Sequence, residues 1–238
     1  MITKIQLTSF CNNTVAIDIS TISKLMNGLN NLDIKEFLPN ITNGQNINLI
    51  SGKVEQIQNL GFITMDSSGQ VLFQPNRIDV IFNLQGELQN NLNQAKKVIK
   101  YILCECNCTS NRLAINIDLL SDPYVGDIKK SDFGSKIMSF LDYYKDQDLI
   151  EWSARENIHQ NITVNDEKET LNVITELSLV TYNSDNTKRV LCHMDINTVA
   201  ENNSYRFDSN AFDDFLNETT TIIQKIKANF EELNVSGN

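Results

Sequence analysis

An α+β protein of two similar β-α-β-β-β-α lobes is what this sequence predicts, and three observations carry the prediction. Short runs alternate apolar and polar residues, as in Lys4-Ile5-Gln6-Leu7-Thr8 and Arg112 to Leu120, which is the pattern of half-buried strands. Runs with helical spacing separate and close these groups of strands. One strand motif also echoes along the chain, Val15-Ala16-Ile17-Asp18-Ile19 against Leu113-Ala114-Ile115-Asn116-Ile117-Asp118. The lobes are expected at 1–108 and 109–238, each an antiparallel sheet covered by helices. The turn from Asn107 to Asn111 between them is short and not rich in Gly and Ser, so the lobes are expected to pack together.

The elements follow in order. After the strand at Lys4–Thr8, Cys11-Asn12-Asn13 reads as a turn and Thr14 to Ile19 as a second strand. Ser20 or Thr21 caps a short helix with Ile22, Leu25, Met26 and Leu29 on one face. Asn30 to Gly44, containing Phe37-Leu38-Pro39, reads as loop. Strands are expected near 46–51, 60–66 and 70–75, with Asp66-Ser67-Ser68-Gly69 as the hairpin turn, and a further strand from Arg77 to Leu84. A helix from Leu88 to Glu105 buries Leu92, Ala95, Ile99, Ile102 and Leu103.

The second half opens with the strand Arg112 to Leu120, ended by Ser121-Asp122-Pro123. Asp132 starts a helix with Phe133, Ile137, Met138 and Leu141 inward, and strands follow near 147–158, 169–182 and 187–197. From Ser209 to Leu233 runs the clearest element, a long C-terminal helix with Phe212, Phe215, Leu216, Ile222, Ile223, Ile226 and Phe230 in helical register. Asp208, Ser209 and Asn210 offer its cap, and Asp213 and Asp214 suit its positive end. It reads first as a helix covering a sheet. Its length, above the usual three or four turns, also makes it a candidate interface with another copy or a partner, with Phe212 and Phe215 as the contact residues.

Composition narrows the function. At 238 residues, 41% hydrophobic and 21% charged, the chain can bury a substantial core and is too apolar for disorder. A formal charge of −10 opposes binding to phosphate backbones and suits a basic protein partner. Met1 to Phe10 lacks the pattern of a secretory leader, and no apolar run approaches the roughly 18 residues of a membrane helix. The five cysteines are an odd number, and Cys104, Cys106 and Cys108 alternate, which suits a reduced cytoplasmic protein better than a disulfide framework.

Two constellations could carry chemistry. A zinc site would need tetrahedral thiolate or imidazole ligands, and Cys104, Cys108, Cys192 and His193 are the candidates; the C-x-C-x-C spacing fits zinc poorly, and free thiols are the expectation. Asp18, Asp118 and Asp195 lie near the ends of Ile-rich strands on the polar side, and His193 shares a strand face with Asp195. Brought together, they could hold Mg²⁺ for phosphoryl chemistry or receive Lys and Arg of a partner. There is no phosphate-binding Gly loop, no His-Glu-x-x-His and no nucleophile elbow, and no cofactor is expected.

Two stretches resemble an uncharacterised, sporadically distributed bacterial family: Val71-Leu72-Phe73-Gln74-Pro75-Asn76-Arg77-Ile78, and Met194-Asp195-Ile196 followed by Phe212 to Glu231, a last helix that closes on Phe230-Glu231. The resemblance implies an α+β body and accessory or mobile-element biology, and it carries over no catalytic residues. The resulting expectation is a non-catalytic protein-binding or regulatory subunit of a bacterial or phage defence, counter-defence or toxin-neutralising system, with self-association as one form of binding. The alternative is a metal-assisted hydrolase or nuclease using Asp18, Asp118, His193 and Asp195.

Overall fold

Alternation sets the first strand: in β1 (Ile2–Cys11), Ile5, Leu7, Ser9 and Cys11 face one side, and Gln6, Thr8 and Phe10 the other. In the computed structural model, which describes residues 2–12, 15–47, 52, 54–83, 86–123 and 151–235, β1 is the central strand of one nine-stranded antiparallel sheet. On one flank lie β5 (Arg77–Phe82), β4 (Gly69–Gln74), β3 (Val54–Thr64) and, at the edge, β2 (Phe37–Ile47). On the other lie β6 (Ser110–Leu120), β9 (Thr187–Thr198), β8 (Glu167–Tyr182) and the opposite edge, β7 (Ser153–Val164). The chain is therefore a mixed α+β protein in which the central β1–β6 pair joins all the described strands into a single sheet.

The helices cover one face of this sheet. In α1 (Ile19–Asn30), Leu25 and Leu29 are buried, and the helix packs on β2 and α2. Helix α2 (Leu88–Glu105) lies over β1 and β5, and its buried residues Leu88, Leu92, Ala95, Val98, Ile99, Ile102 and Leu103 form one stripe. Helix α3 (Ala211–Val235) covers β6, β7 and β9. Its cap is Asp208, whose Oδ1 accepts the N–H groups of Asn210 and Ala211 at 2.9 and 3.0 Å. Asp213 pairs with Lys96 and Lys100 of α2, and Asp214 accepts the Asn165 N–H at 2.9 Å, so the first turn of α3 is tied to both its neighbours. No described helix is long and apolar enough to cross a membrane.

The core lies between helices and sheet, with Leu7, Phe62, Val80, Leu113, Met194, Phe212 and Phe215 among its fully buried side chains. The other face carries a polar network instead. Asp79 of β5 is 1% exposed, held by Thr8 Oγ1 at 2.6 Å, Gln6 Nε2 at 3.0 Å and Arg77 Nε at 2.9 Å. Phe10 lies between Arg77 and Arg112, whose guanidinium carbons sit 5.5 and 5.0 Å from its ring centre.

Several expectations need correcting. Residues 15–18 are not a strand, and Leu113–Asp118 belongs to β6, which pairs with β1, so the echo of Val15–Ile19 does not join equivalent strands. The segment expected as loop from Asn30 to Gly44 contains most of β2, and β3 begins at Val54 rather than near residue 60. The helix expected from Asp132, with Phe133, Ile137, Met138 and Leu141, lies outside the described residues, as does the start of the strand expected at 147.

Candidate functional site

Strand register decides which of the expected site residues meet. Asp118 of β6 stands opposite His193 of β9, and His193 Nδ1 is 2.6 Å from Asp118 Oδ1. Asp195 lies two residues along on the same face, where its Oδ1 accepts the Asn197 amide at 2.9 Å. Asp18 does not join them. It is the N-cap of α1, accepting the Thr21 N–H at 2.8 Å and the Thr21 hydroxyl at 2.9 Å, and these bonds hold its carboxyl below the ordinary range.

The pair of Asp118 and His193 sits in a row of alternating charge: Lys4, Asp118, His193, Glu176 and Arg155 are successive cross-strand partners. Asp118 can orient the imidazole for proton transfer, yet the residues directly opposite His193 are Asp118 and Glu176, neither of which is a nucleophilic hydroxyl or thiol. Among the described residues, no three His, Cys, Asp or Glu side chains are arranged to share a metal ion.

The Asp118 hydrogen bond raises the His193 pKa. A group raised on folding adds stability that is complete below the unfolded pKa of about 6.5 and is lost as pH rises through the folded value. The melting temperature of the wild type should therefore exceed that of His193→Gln most at about pH 6, with the difference shrinking toward about pH 8. The imidazole is 38% exposed, so water screens the pair and the effect is small. A difference that grows with pH would contradict this assignment.

The expected zinc ligands do not converge. Cys104 is exposed and its Sγ donates to Ser209 Oγ at 3.0 Å, whereas Cys108 is buried beyond the end of α2. Cys192 and His193 are adjacent in β9 and point to opposite faces; burial pushes the Cys192 thiol up to about 12. Phe212 and Phe215, expected as partner contacts, are both 0% exposed and belong to the core beneath α3.

A further surface open to a ligand lies at the β2–β3 hairpin, in a segment whose sequence shows no alternation. Phe37 directs its N–H to Asn30 Oδ1 at 2.7 Å and its carbonyl to Asn30 Nδ2 at 3.3 Å, away from β3. The carbonyl of the preceding Glu36 instead accepts the Met65 N–H at 3.2 Å, on the β3 side. The β2–β3 register is unbroken from Phe37 to Ile47, so odd-numbered residues of β2 turn their main-chain groups outward. Pro39 occupies one outward position, where a missing N–H costs the sheet nothing. Ile41, Asn43 and Gln45 follow, and their N–H and C=O groups point to the outer side of the edge.

Inward of this edge, from Asn43 of β2 across β3 and β4 to Ile78 of β5, opens a groove of about 650 Å³. Val15, Ile17, Leu60, Phe73, Pro75 and Ile78 supply its apolar surface, and Asn43, Gln56, Gln58, Asn59 and Gln74 its polar one. None of these side chains ionises, although the chain carries a formal charge of −10. Ile17, Ile41 and Val54, from the groove wall and the two strands of the hairpin, are 36%, 46% and 55% exposed. Neutral amides over an apolar floor suit an uncharged ligand, because a charged one would lose hydration without gaining a counter-charge. No model of a known protein family matches the chain, and no curated protein matches it either.

Proposed function

We propose that this chain is a non-catalytic protein-recognition subunit that takes an extended, uncharged stretch of a partner polypeptide along the outer edge of β2. The single observation that carries the reading is the coincidence of outward main-chain groups at Ile41, Asn43 and Gln45 with the neutral groove inward of them. A strand added there would hydrogen-bond to the edge and lay alternate side chains over the groove. The net negative charge favours a partner that is basic outside the contact segment.

The halves 1–108 and 109–238 are read as related lobes. Each begins with a central strand, β1 or β6, ends in a covering helix, α2 or α3, and contributes one sheet edge, β2 or β7. A setting in bacterial or phage defence, counter-defence or toxin neutralisation, inside the cytoplasm, rests on the family resemblance and the cysteine usage. The second reading, a hydrolase, is favoured only by the orientation of His193 by Asp118.

The test is affinity capture of the tagged full chain from its native host, followed by native mass spectrometry. Asn43→Pro removes one outward N–H while leaving the β3 pairing intact, and is expected to lower capture at least about tenfold at an unchanged melting temperature. Asp118→Asn and Asp195→Asn should capture normally. Capture that survives Asn43→Pro would overturn the edge reading. A lone monomer that hydrolyses a substrate, with turnover lost in Asp118→Asn, would replace the recognition reading with the hydrolase.

A further inference from the structure

The end of α2 gathers thiols that the sequence scatters. Asn107 adopts φ +49°, and the chain turns back with Asn107 N–H bonded to the Cys104 carbonyl at 3.2 Å and Cys108 N–H to the Leu103 carbonyl at 2.9 Å. This reversal brings the Cys108 thiol onto the carbonyl of Cys106, the C-cap residue of the helix, at 3.7 Å. Cys11, at the end of β1, stands opposite Ser110, and the Asn12 N–H that follows it bonds the Thr109 carbonyl at 3.1 Å, which sets Cys11 beside the Cys108 turn; its own thiol lies 3.0 Å from Ser9 Oγ. Cys108 therefore lies between Cys106 of its own turn and Cys11 of the neighbouring strand.

The three differ in access. Cys11 and Cys108 are buried, whereas Cys106 is half-buried and lines a cavity of about 230 Å³ with Thr21, Lys24 and Glu105. Among the described residues no three ligating side chains are placed around a common metal position, and neighbouring thiols of this kind can exchange with disulfides.

We propose that Cys106, Cys108 and Cys11 form a thiol–disulfide relay, a modification site for low-molecular-weight disulfides whose end state is a Cys11–Cys108 bond. The Cys106 thiolate attacks the small disulfide RSSR, giving a Cys106–SR mixed disulfide and releasing RS⁻. The Cys108 thiolate attacks the Cys106 sulfur and expels the second RS⁻. The Cys11 thiolate then attacks the Cys108 sulfur and returns Cys106 as a thiolate, which takes up a proton. The two protons lost by Cys11 and Cys108 appear on two RSH, RSSR is reduced, and the cysteine pair is oxidised. Hydrogen bonding to Cys108, together with burial, holds the Cys106 thiol above its ordinary range, so entry is slow at neutral pH and quickens as pH rises.

The reduced full-length protein is incubated with oxidised glutathione at mildly alkaline pH, quenched with acid, alkylated and mapped as peptides without reduction. The expected product joins the Cys11 and Cys108 peptides and leaves Cys106 alkylated. Its formation should be slowed about tenfold or more by Cys106→Ser and left unchanged by Cys104→Ser. Oxidation should raise the melting temperature, and reductant should reverse the rise. Glutathione found on Cys104 alone, a Cys106–Cys108 bond as the final product, or cross-linking as fast in Cys106→Ser as in the wild type would each overturn the relay.

Discussion

Phe215→Ala is expected to destabilise the protein by about 3–5 kcal/mol, among the largest effects of any single core truncation here. The side chain is 0% exposed and meets Phe212 edge-on, with ring centres 6.2 Å apart and planes at 83°. Truncation removes the transfer free energy of a whole ring and leaves a cavity that the sheet beneath cannot fill without moving β6, β7 or β9. Chemical denaturation should show a lowered midpoint with an unchanged slope. The exposed Asn217→Ala, two residues along the same helix, should stay within about 0.5 kcal/mol of the wild type. This contrast separates a core role from an interface role for α3. If Phe215 were a contact residue, Phe215→Ala would keep its stability and lose association.

The same helix shows how far sequence pattern reaches. Its apolar residues recur at helical spacing because one stripe is buried, and burial is what periodicity records. Periodicity does not say what buries the stripe, so covering helix and interface helix read alike. The strands were legible on the same terms. The residues of β6 and β9 alternate because one face meets the helices, and that parity placed Asp118, His193 and Asp195 on the common polar face. Their actual meeting depends on the register Asp118 to His193 across two strands distant in sequence, which no local pattern encodes.

β2 escaped for the opposite reason. From Leu38 to Gln45 its residues are exposed or half-buried on both faces, so Asn, Thr, Gly and Pro occupy it without any alternation to read. The candidate groove inherits that opacity. Val15, Ile17 and Ile19 did alternate, yet Ile17 is 36% exposed and Ile19 85%, so no sheet face lies behind the pattern. The helix cap expected at Ser20 or Thr21 falls instead on Asp18, which accepts the Thr21 N–H, so the helix begins where a strand was expected. The thiol cluster was hidden differently again: Cys106 and Cys108 are near neighbours, but only the β1–β6 pairing brings up Cys11.

Arg206→Met should cost about 3–5 kcal/mol, although Arg206 does not line the proposed groove. Arg206 sits in the connection between β9 and α3 and faces Glu169 of β8 as a fork, Nε to Oε1 at 2.5 Å and Nη2 to Oε2 at 2.7 Å. Its remaining Nη1 donates to the carbonyls of Asn111, Asn202 and Ser204 at 2.8, 3.0 and 3.1 Å. The guanidinium also lies 4.2 Å from the ring centre of Phe207, a residue 2% exposed whose main chain bridges Ser110 of β6. Methionine can fill much of the volume, so the loss is not one of packing. It strands the Glu169 carboxylate, 7% exposed, without its cation, and leaves the three carbonyls without this donor. Lysine restores the charge but not the planar fork, so Arg206→Lys should recover only part of the loss. Arg206→Met/Glu169→Leu should be more stable than Arg206→Met alone, because the stranded charge is then gone. Denaturation of these variants in a double-mutant cycle measures the pair directly, and a double variant no better than the single would show that the carbonyl bonds, not the ion pair, carry the effect.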